Sequence, residues 1–261
     1  METKEYRRFA EFCDACRRYR YIGLCYGSPG VGKTLSARYY AQWDLFEAQF
    51  PRLLSDYAPP EVITLRTVVY TPPVSNSPLV IAKEIAKLRM NLLLLTEAAF
   101  QLQQGNEDWN IPDPLPNRME LLIVDEADRL KMPGLEQVRD LYDRNQMGLI
   151  LIGMPGLEKR LSRYPQLYSR VGFVHEFRSL NAEESRLFLT QQWNQWGFTL
   201  HPESVTEEEA IATIIRITNG NFRLLQRLLT QIERIVDINA LRMVSKEVVE
   251  IARQQLVIGS S

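Results

Sequence analysis

The stretch YIGLCYGSPGVGKTLSARYY, residues 21–40, decides the fold. Its first six residues are a short apolar run, which reads as a buried strand ending at Gly27. Gly27-Ser28-Pro29-Gly30-Val31-Gly32-Lys33-Thr34 then matches the pattern G-x-x-x-x-G-K-[ST]. A helix is expected to follow over 33–49. Strand, glycine-rich turn and helix together are the context this motif needs. Glycines let the backbone wrap closely around phosphates with N–H groups pointing inward, and a helix N-terminus adds partial positive charge. Lys33 places a full charge on β- and γ-phosphates, and the Thr34 hydroxyl is a ligand for Mg²⁺. The loop 27–34 is therefore the candidate site for ATP and its Mg²⁺.

About 90 residues downstream, LLIVDE (121–126) is the second half of the pattern. A buried strand over 119–124 that ends in two acids puts both carboxylates at the carboxyl edge of a sheet, where ligands of open α/β folds bind. In that position Asp125 holds Mg²⁺, through water, and Glu126 polarises the attacking water as general base.

Around these anchors the chain alternates. Residues 4–19 read as an amphipathic helix, with Tyr6, Phe9, Ala10, Cys13 and Cys16 on one face. The β-branched run 62–71 reads as a second strand. Ser77 and Pro78 read as N-cap and first residue of a long helix over 79–104, and 105–117 as a polar loop. A helix over 133–146, a strand over 149–153, helical turns over 156–168 and a strand over 171–177 follow. The apolar runs lack a two-residue period, as strands buried on both faces do. From 181 onward only helices are expected. Asn181 with Glu184, and Thr206 with Glu209, resemble capping boxes, and helices follow over 222–239 and 245–257. The fold class is thus α/β: a P-loop parallel-sheet core with helices on both faces, then a small all-helical domain. The expected boundaries are 1–19, 20–179 and 181–258, with Trp193, Trp196 and Phe198 inside the small domain.

The 261 residues are 45% hydrophobic and 24% charged, ordinary for a globular chain. No apolar run nears the ~18–20 residues that span a bilayer, and METKEYRRFAEF has no apolar signal core. No membrane and a cytoplasmic location are expected. Three cysteines suit a reducing compartment, and Cys13-x-x-Cys16 reads as two thiols on a helix rather than a zinc or redox site. A net charge of −1 argues against strong nucleic-acid binding by a lone monomer. Residues 1–40, however, hold eight Lys and Arg against four acids, so a local basic surface is conceivable.

The P-loop, the hydrophobic strand ending in Asp-Glu, and a helical domain after the sheet resemble AAA+ ATPases. PQLYSRV (165–171) is similar to the segment where that superfamily carries its arginine finger. The resemblance implies that Arg170, with Arg160 and Arg163 as competitors, reaches the γ-phosphate held by a neighbouring subunit. GNFRLL (220–225) is similar to the sensor-2 segment, implying that Arg223 lies near the γ-phosphate and couples nucleotide state to domain angle. LILIGMP (149–155) departs from the pattern. Met154 stands where a polar residue commonly orients water, and a thioether is a poor donor or acceptor, so slow hydrolysis is expected.

Residues 123–161 most resemble the MuB/TniB/TnsC regulators of DNA transposition. That resemblance implies an ATP-dependent homo-oligomer, ring or helical filament, that wraps double-stranded DNA and marks it for a transposase and a target-selection protein. Contact would run mainly to phosphates. The candidate DNA residues are Asn76, Ser77, Lys83, Lys87 and Lys131. The competing reading is a clamp-loader-like or chaperone-like AAA+ ATPase acting on protein. A nucleotide-gated module without turnover is a third, supported by Met154. A P-loop small-molecule kinase is disfavoured, because Asp-Glu suits water activation.

Overall fold

The computed structural model describes residues 3–49, 59–105, 117–196, 204–241 and 243–256. The chain divides into two compact units, one of 7–27 and 33–177, the other of 1–6, 28–32 and 178–261.

The first unit is built on a five-stranded sheet. Its strands are β1 (Ile22–Tyr26), β2 (Thr67–Tyr70), β3 (Leu121–Val124), β4 (Gly148–Gly153) and β5 (Val171–Glu176). They lie in the order β2-β3-β4-β1-β5, and every neighbouring pair is parallel. Val124 pairs with Leu151, and Leu24 with that same Leu151, so the ends of β3 and β1 flank the end of β4. β1 to β4 are almost wholly buried, which is why their sequences are continuous apolar runs. β5 differs: it is an edge strand whose residues alternate between half-buried and exposed. The expectation of two-sided burial fails there.

Helix α1 (Lys4–Tyr19) buries Phe9, Phe12, Cys13 and Cys16 at the i, i+3, i+4, i+7 positions of one face. It packs so close to β1 that a Cβ on Gly23 would come within 2.4 Å of the Cys16 Sγ and 2.6 Å of the Phe12 ring. Phe9 and Phe12 also meet His175 and Phe177 at centroid distances of 5.4–5.9 Å. The expected helix over 33–49 is in fact two, α2 (Lys33–Tyr40) and α3 (Trp43–Gln49). Gln42, at φ 49°, breaks it, and the break lets Trp43 and Phe46 stack 4.5 Å apart in the core. The strand expected from 62 starts late. Pro60–Thr64 form a 3-10 helix that begins at two prolines and packs against α4 (Pro78–Gln103). Here the β-branched composition misleads. Ser77 does cap α4, and Pro78 opens it. Helix α5 (Met132–Asn145) ends at Gln146, in the left-handed region at φ 48°. Two short helices, α6 (Leu157–Leu161) and α7 (Pro165–Tyr168), lead to β5. Residues 106–116 of the expected polar loop lie outside the described residues.

The second unit contains α8 (Ala182–Gln195), α9 (Val205–Thr218), α10 (Phe222–Ile238) and α11 (Lys246–Gln254). Asn181 caps α8 in a full capping box with Glu184. The cap of α9 is Ser204, accepting from the Glu207 N–H, and not Thr206, which lies inside the helix. Both residues fit the capping pattern, and two residues of register separate them. The core joins Leu189, Trp193, Ile214, Leu225, Leu228 and Ile232, with Trp196 packed partly buried against it. Phe198 lies outside the described residues. Leu228 is fully buried, so Leu228→Ala is expected to lower stability by about 2–5 kcal/mol in urea unfolding.

The three cysteines are buried. Burial, followed by the neighbouring Cys16, raises the Cys13 thiol well above its usual range, and burial pushes Cys16 up to about 12. Thiolates, the reactive and metal-binding form, are therefore suppressed. Ellman's reagent at pH 8 is expected to leave all three unmodified in the folded protein and to label them in urea. Rapid labelling of the folded chain would contradict this packing.

Candidate nucleotide site

In the sheet unit, the loop opens at Gly27 directly after β1. A side chain there would strike the Phe177 carbonyl at 2.2 Å, and the Phe177 N–H in turn donates to the Tyr26 carbonyl at 2.7 Å. Glycine is thus required by a close backbone approach from the end of β5. Lys33 and Thr34 begin α2, and the Lys33 ammonium donates to the Gly27 carbonyl at 2.5 Å. The Thr34 hydroxyl donates to Asp125 Oδ2 at 2.7 Å, across 91 residues. Asp125 Oδ1 accepts from the Glu126 N–H at 2.9 Å, and the Asp125 N–H donates to the Tyr70 carbonyl at 2.8 Å. Asp125 is only 3% exposed, so its carboxylate is held in one orientation. A hydroxyl and a carboxylate oxygen so close form a hard-donor pair that fits a Mg²⁺ ligated chiefly by phosphates and waters.

Glu126 is exposed and adopts a left-handed backbone conformation, φ 52°, uncommon for a residue with a side chain. Its carboxylate is paired with Arg129, which also donates to the Pro72 carbonyl. Met154 follows β4, between the other two strand ends. Its N–H donates to Asp128 Oδ2 at 2.7 Å, while its thioether is left partly exposed. Arg160 donates to the carbonyls of Asp128 and Leu130, so it braces the turn behind the acid pair. Arg170 precedes β5 and pairs with Asp143 at 2.8 Å. It therefore sits at the amino edge of the sheet, opposite the edge that carries Gly27 and Asp125 of its own chain. Arg163 is exposed and, among the described residues, has no ion pair or hydrogen bond to its side chain.

In the helical unit, Ser28–Gly32 form the rest of the loop. Gly30 and Gly32 have φ values of +80° and +110°, in the region that favours glycine. Asn221 Nδ2 donates to the Pro29 carbonyl at 3.0 Å, while its Oδ1 accepts from the Leu224 N–H and caps α10. The Arg223 N–H donates to the Gly30 carbonyl at 2.9 Å. The Arg223 guanidinium is exposed, with no partner among the described residues. Val31 is buried, and Ser28 and Pro29 are exposed.

The structure thus joins Gly27, Lys33, Thr34, Asp125 and Glu126 in one unit, and Ser28–Gly32 with Arg223 in the other. Asn221, Asp128 and Arg129 were missed from the sequence. Asn221 had a usable signal, since it precedes a periodic helix as an N-cap should. Of the five DNA candidates, Asn76 and Ser77 have local structural work. Asn76 donates to the Pro73 and Arg129 carbonyls, and Ser77 caps α4. Lys83, Lys87 and Lys131 are exposed.

A family model described as an AAA domain matches residues 16–161. A Staphylococcus aureus protein described as a potential ATP-binding protein is 46% identical over 263 residues, covering 99% of this chain and 97% of the relative. The chain therefore belongs to the AAA domain family, and it is an ATP-binding AAA+ protein. Among solved structures, the Aeropyrum pernix ORC2 protein matches with TM-score 0.65 at 16% identity, over 100% of this chain and 69% of that one. The Thermotoga maritima RuvB Holliday junction branch migration motor matches with TM-score 0.59 at 16% identity, over 97% and 68%. At such identity these two establish the fold.

Asn221 separates two effects. Asn221→Ser keeps a cap oxygen but is too short to reach Pro29, so it is expected to preserve stability while weakening nucleotide affinity about fivefold, one hydrogen bond's worth. Asn221→Ala should also lose about 1 kcal/mol of stability in urea unfolding. Unchanged affinity in Asn221→Ser would remove Asn221 from the site.

Proposed function

We propose that the protein is an ATP-hydrolysing AAA+ regulator of DNA transposition, assembling on double-stranded DNA when ATP is bound and disassembling on hydrolysis. The observation that carries the ATPase part is the Thr34–Asp125 hydrogen bond, with Lys33 and Glu126 adjacent in sequence to its two ends. Lys33 neutralises the β- and γ-phosphates, while Thr34 and Asp125 orient the metal's coordination sphere. When bound, Mg²⁺ supplies charge neutralisation on the transferred phosphoryl oxygens. Glu126, once released from Arg129, accepts a proton from the attacking water. Met154 offers no polar side chain at the end of β4, which fits slow turnover.

Arg170 is our choice for a finger acting on a neighbouring subunit. Its place at the amino edge keeps it from the nucleotide edge of its own sheet. Arg160 braces the 128–130 turn beside the acid pair of its own chain, on the nucleotide edge, which leaves Arg163 as the comparison. Arg170→Ala is expected to spare nucleotide binding and to cut assembled-state ATPase activity by about 10³-fold or more. Should Arg163→Ala do so instead, the finger is Arg163.

The transposition reading rests on the resemblance of residues 123–161 and on exposed Lys83, Lys87 and Lys131. Electron microscopy with duplex DNA and a slowly hydrolysed ATP analogue should show rings or filaments on DNA. Each of the three lysines, changed to Ala, should lower the salt slope of DNA binding by about 1 without altering sequence preference. ATP turnover stimulated by a protein and indifferent to DNA would support the clamp-loader-like or chaperone-like reading instead.

A further inference from the structure

A cavity of about 1040 Å³ lies in the sheet unit, away from the nucleotide loop. It opens at the amino edge of the sheet, among the residues that lead into β1, β3 and β4. Among the described residues, six arginines line it, Arg17, Arg18, Arg20, Arg89, Arg118 and Arg144, against two carboxylates, Asp14 and Glu120. Arg17, Arg18 and Arg144 stand in the last turns of α1 and α5, where helix dipoles alone favour cations. Arg20, Arg89 and Arg118 have no such reason to be there.

The ion pairs leave an excess of positive charge. Arg17 pairs with Asp14 and Glu120, Arg118 with Glu97, and Arg144 with Asp140. Arg18 lies over the Tyr19 ring, 5.5 Å from its centroid. Arg20 and Arg89 bond only neutral amides, those of Gln146 and Asn145. Among the described residues, Arg18, Arg20 and Arg89 thus have no carboxylate partner. Guanidinium groups in this state present free forks for carboxylate or phosphate.

The wall between the arginines selects the ligand. Ala86, Met90 and Leu93 form one apolar stripe of α4, with Met119 beneath, and Met90 is 41% exposed. Among the described residues, no aromatic ring lines the cavity. Single-stranded nucleic acid and free nucleotides are normally held by rings on which bases stack, and a duplex backbone offers nothing to an apolar floor. An acidic peptide with an aliphatic side chain matches both features, and methionine adapts to such a side chain.

We propose that this cleft docks an acidic, aliphatic-containing segment of a partner protein, with Arg20 and Arg89 taking its carboxylates and Met90 its apolar side chain. The site stands apart from the nucleotide reading and survives its failure. The test uses the full chain labelled with ¹³C at its methionine methyls. The probe is a synthetic peptide of glutamates and aspartates interrupted by two leucines. Met90 and Met119 signals should shift, while Met132 and Met154, at the nucleotide edge, stay still. Arg20→Glu with Arg89→Glu should weaken peptide binding about tenfold or more, with ATP-analogue affinity unchanged as proof of folding. A peptide with glutamine for each acid should not bind. The proposal is overturned if the acidic peptide leaves Met90 and Met119 unmoved, if charge reversal leaves its affinity intact, or if the glutamine peptide binds equally. It is likewise overturned if duplex DNA, and not the peptide, moves those two signals.

Discussion

A hydroxyl at the start of one helix and a carboxylate at the end of a strand two places away in the sheet meet 2.7 Å apart, and the candidate site depends on that meeting. Neighbouring strands are about 4.7–4.9 Å apart, so β1 and β3 are separated by roughly 10 Å with β4 between them. The loop carries the chain across that gap, so that the Thr34 hydroxyl reaches Asp125 from the first turn of α2. Asp125 is buried, with both oxygens engaged, and its orientation is set before any ligand arrives. Preorganised oxygens of this kind cost little rearrangement on binding a divalent ion with its phosphates. The rest of the sheet unit serves the same alignment, since the parallel register places three strand ends side by side.

Beyond the acid pair, the turn 126–131 is held from several directions. Asp128 caps the end of β4 through Met154, Arg160 grips two of its carbonyls, and Arg129 ties it to Pro72 while pairing with Glu126. A side chain on Gly153 would collide with the Asp128 carboxylate at 2.4 Å, which shows how closely the turn is seated. The carboxylate proposed as base is thus restrained by a neighbour it must leave. In the helical unit, Asn221 does two jobs with one amide: it caps α10 and holds the loop's Pro29 carbonyl. Arg223 is positioned by the same stretch of backbone.

What the sequence disclosed, and what it hid, divides by range. Residues 27–34 and 121–126 were legible because phosphate binding and two-sided burial each impose a local pattern. Ser77 and Asn181 were legible because capping is read within four residues. The break at Gln42 was not, because Trp43 and Phe46 bend the chain to reach a core that only the folded sheet creates. The 3-10 turn at 60–64 was not, because β-branched residues pack under α4 as readily as they pair. Ser204 and Thr206 satisfy the same capping rule, and only packing chooses between them. Arg160 and Arg170 look alike in sequence, yet Arg160 braces the turn beside the acid pair, while Arg170 is held by Asp143 and the Gln166 carbonyl at the opposite edge. The arginine cleft was foreshadowed by the basic excess in residues 1–40, but Arg89, Arg118 and Arg144 join it only through the fold.

The central claim is that the Asp125–Glu126 pair activates water against a triphosphate bound at 27–34. Its most direct measurement is phosphate release and ATP affinity compared, on the same preparation, between the protein and Glu126→Gln. The account predicts turnover in the protein, its loss by about a hundredfold or more in the variant, and equal ATP affinity in both. Equal turnover in the two, or no ATP binding by either, would contradict it.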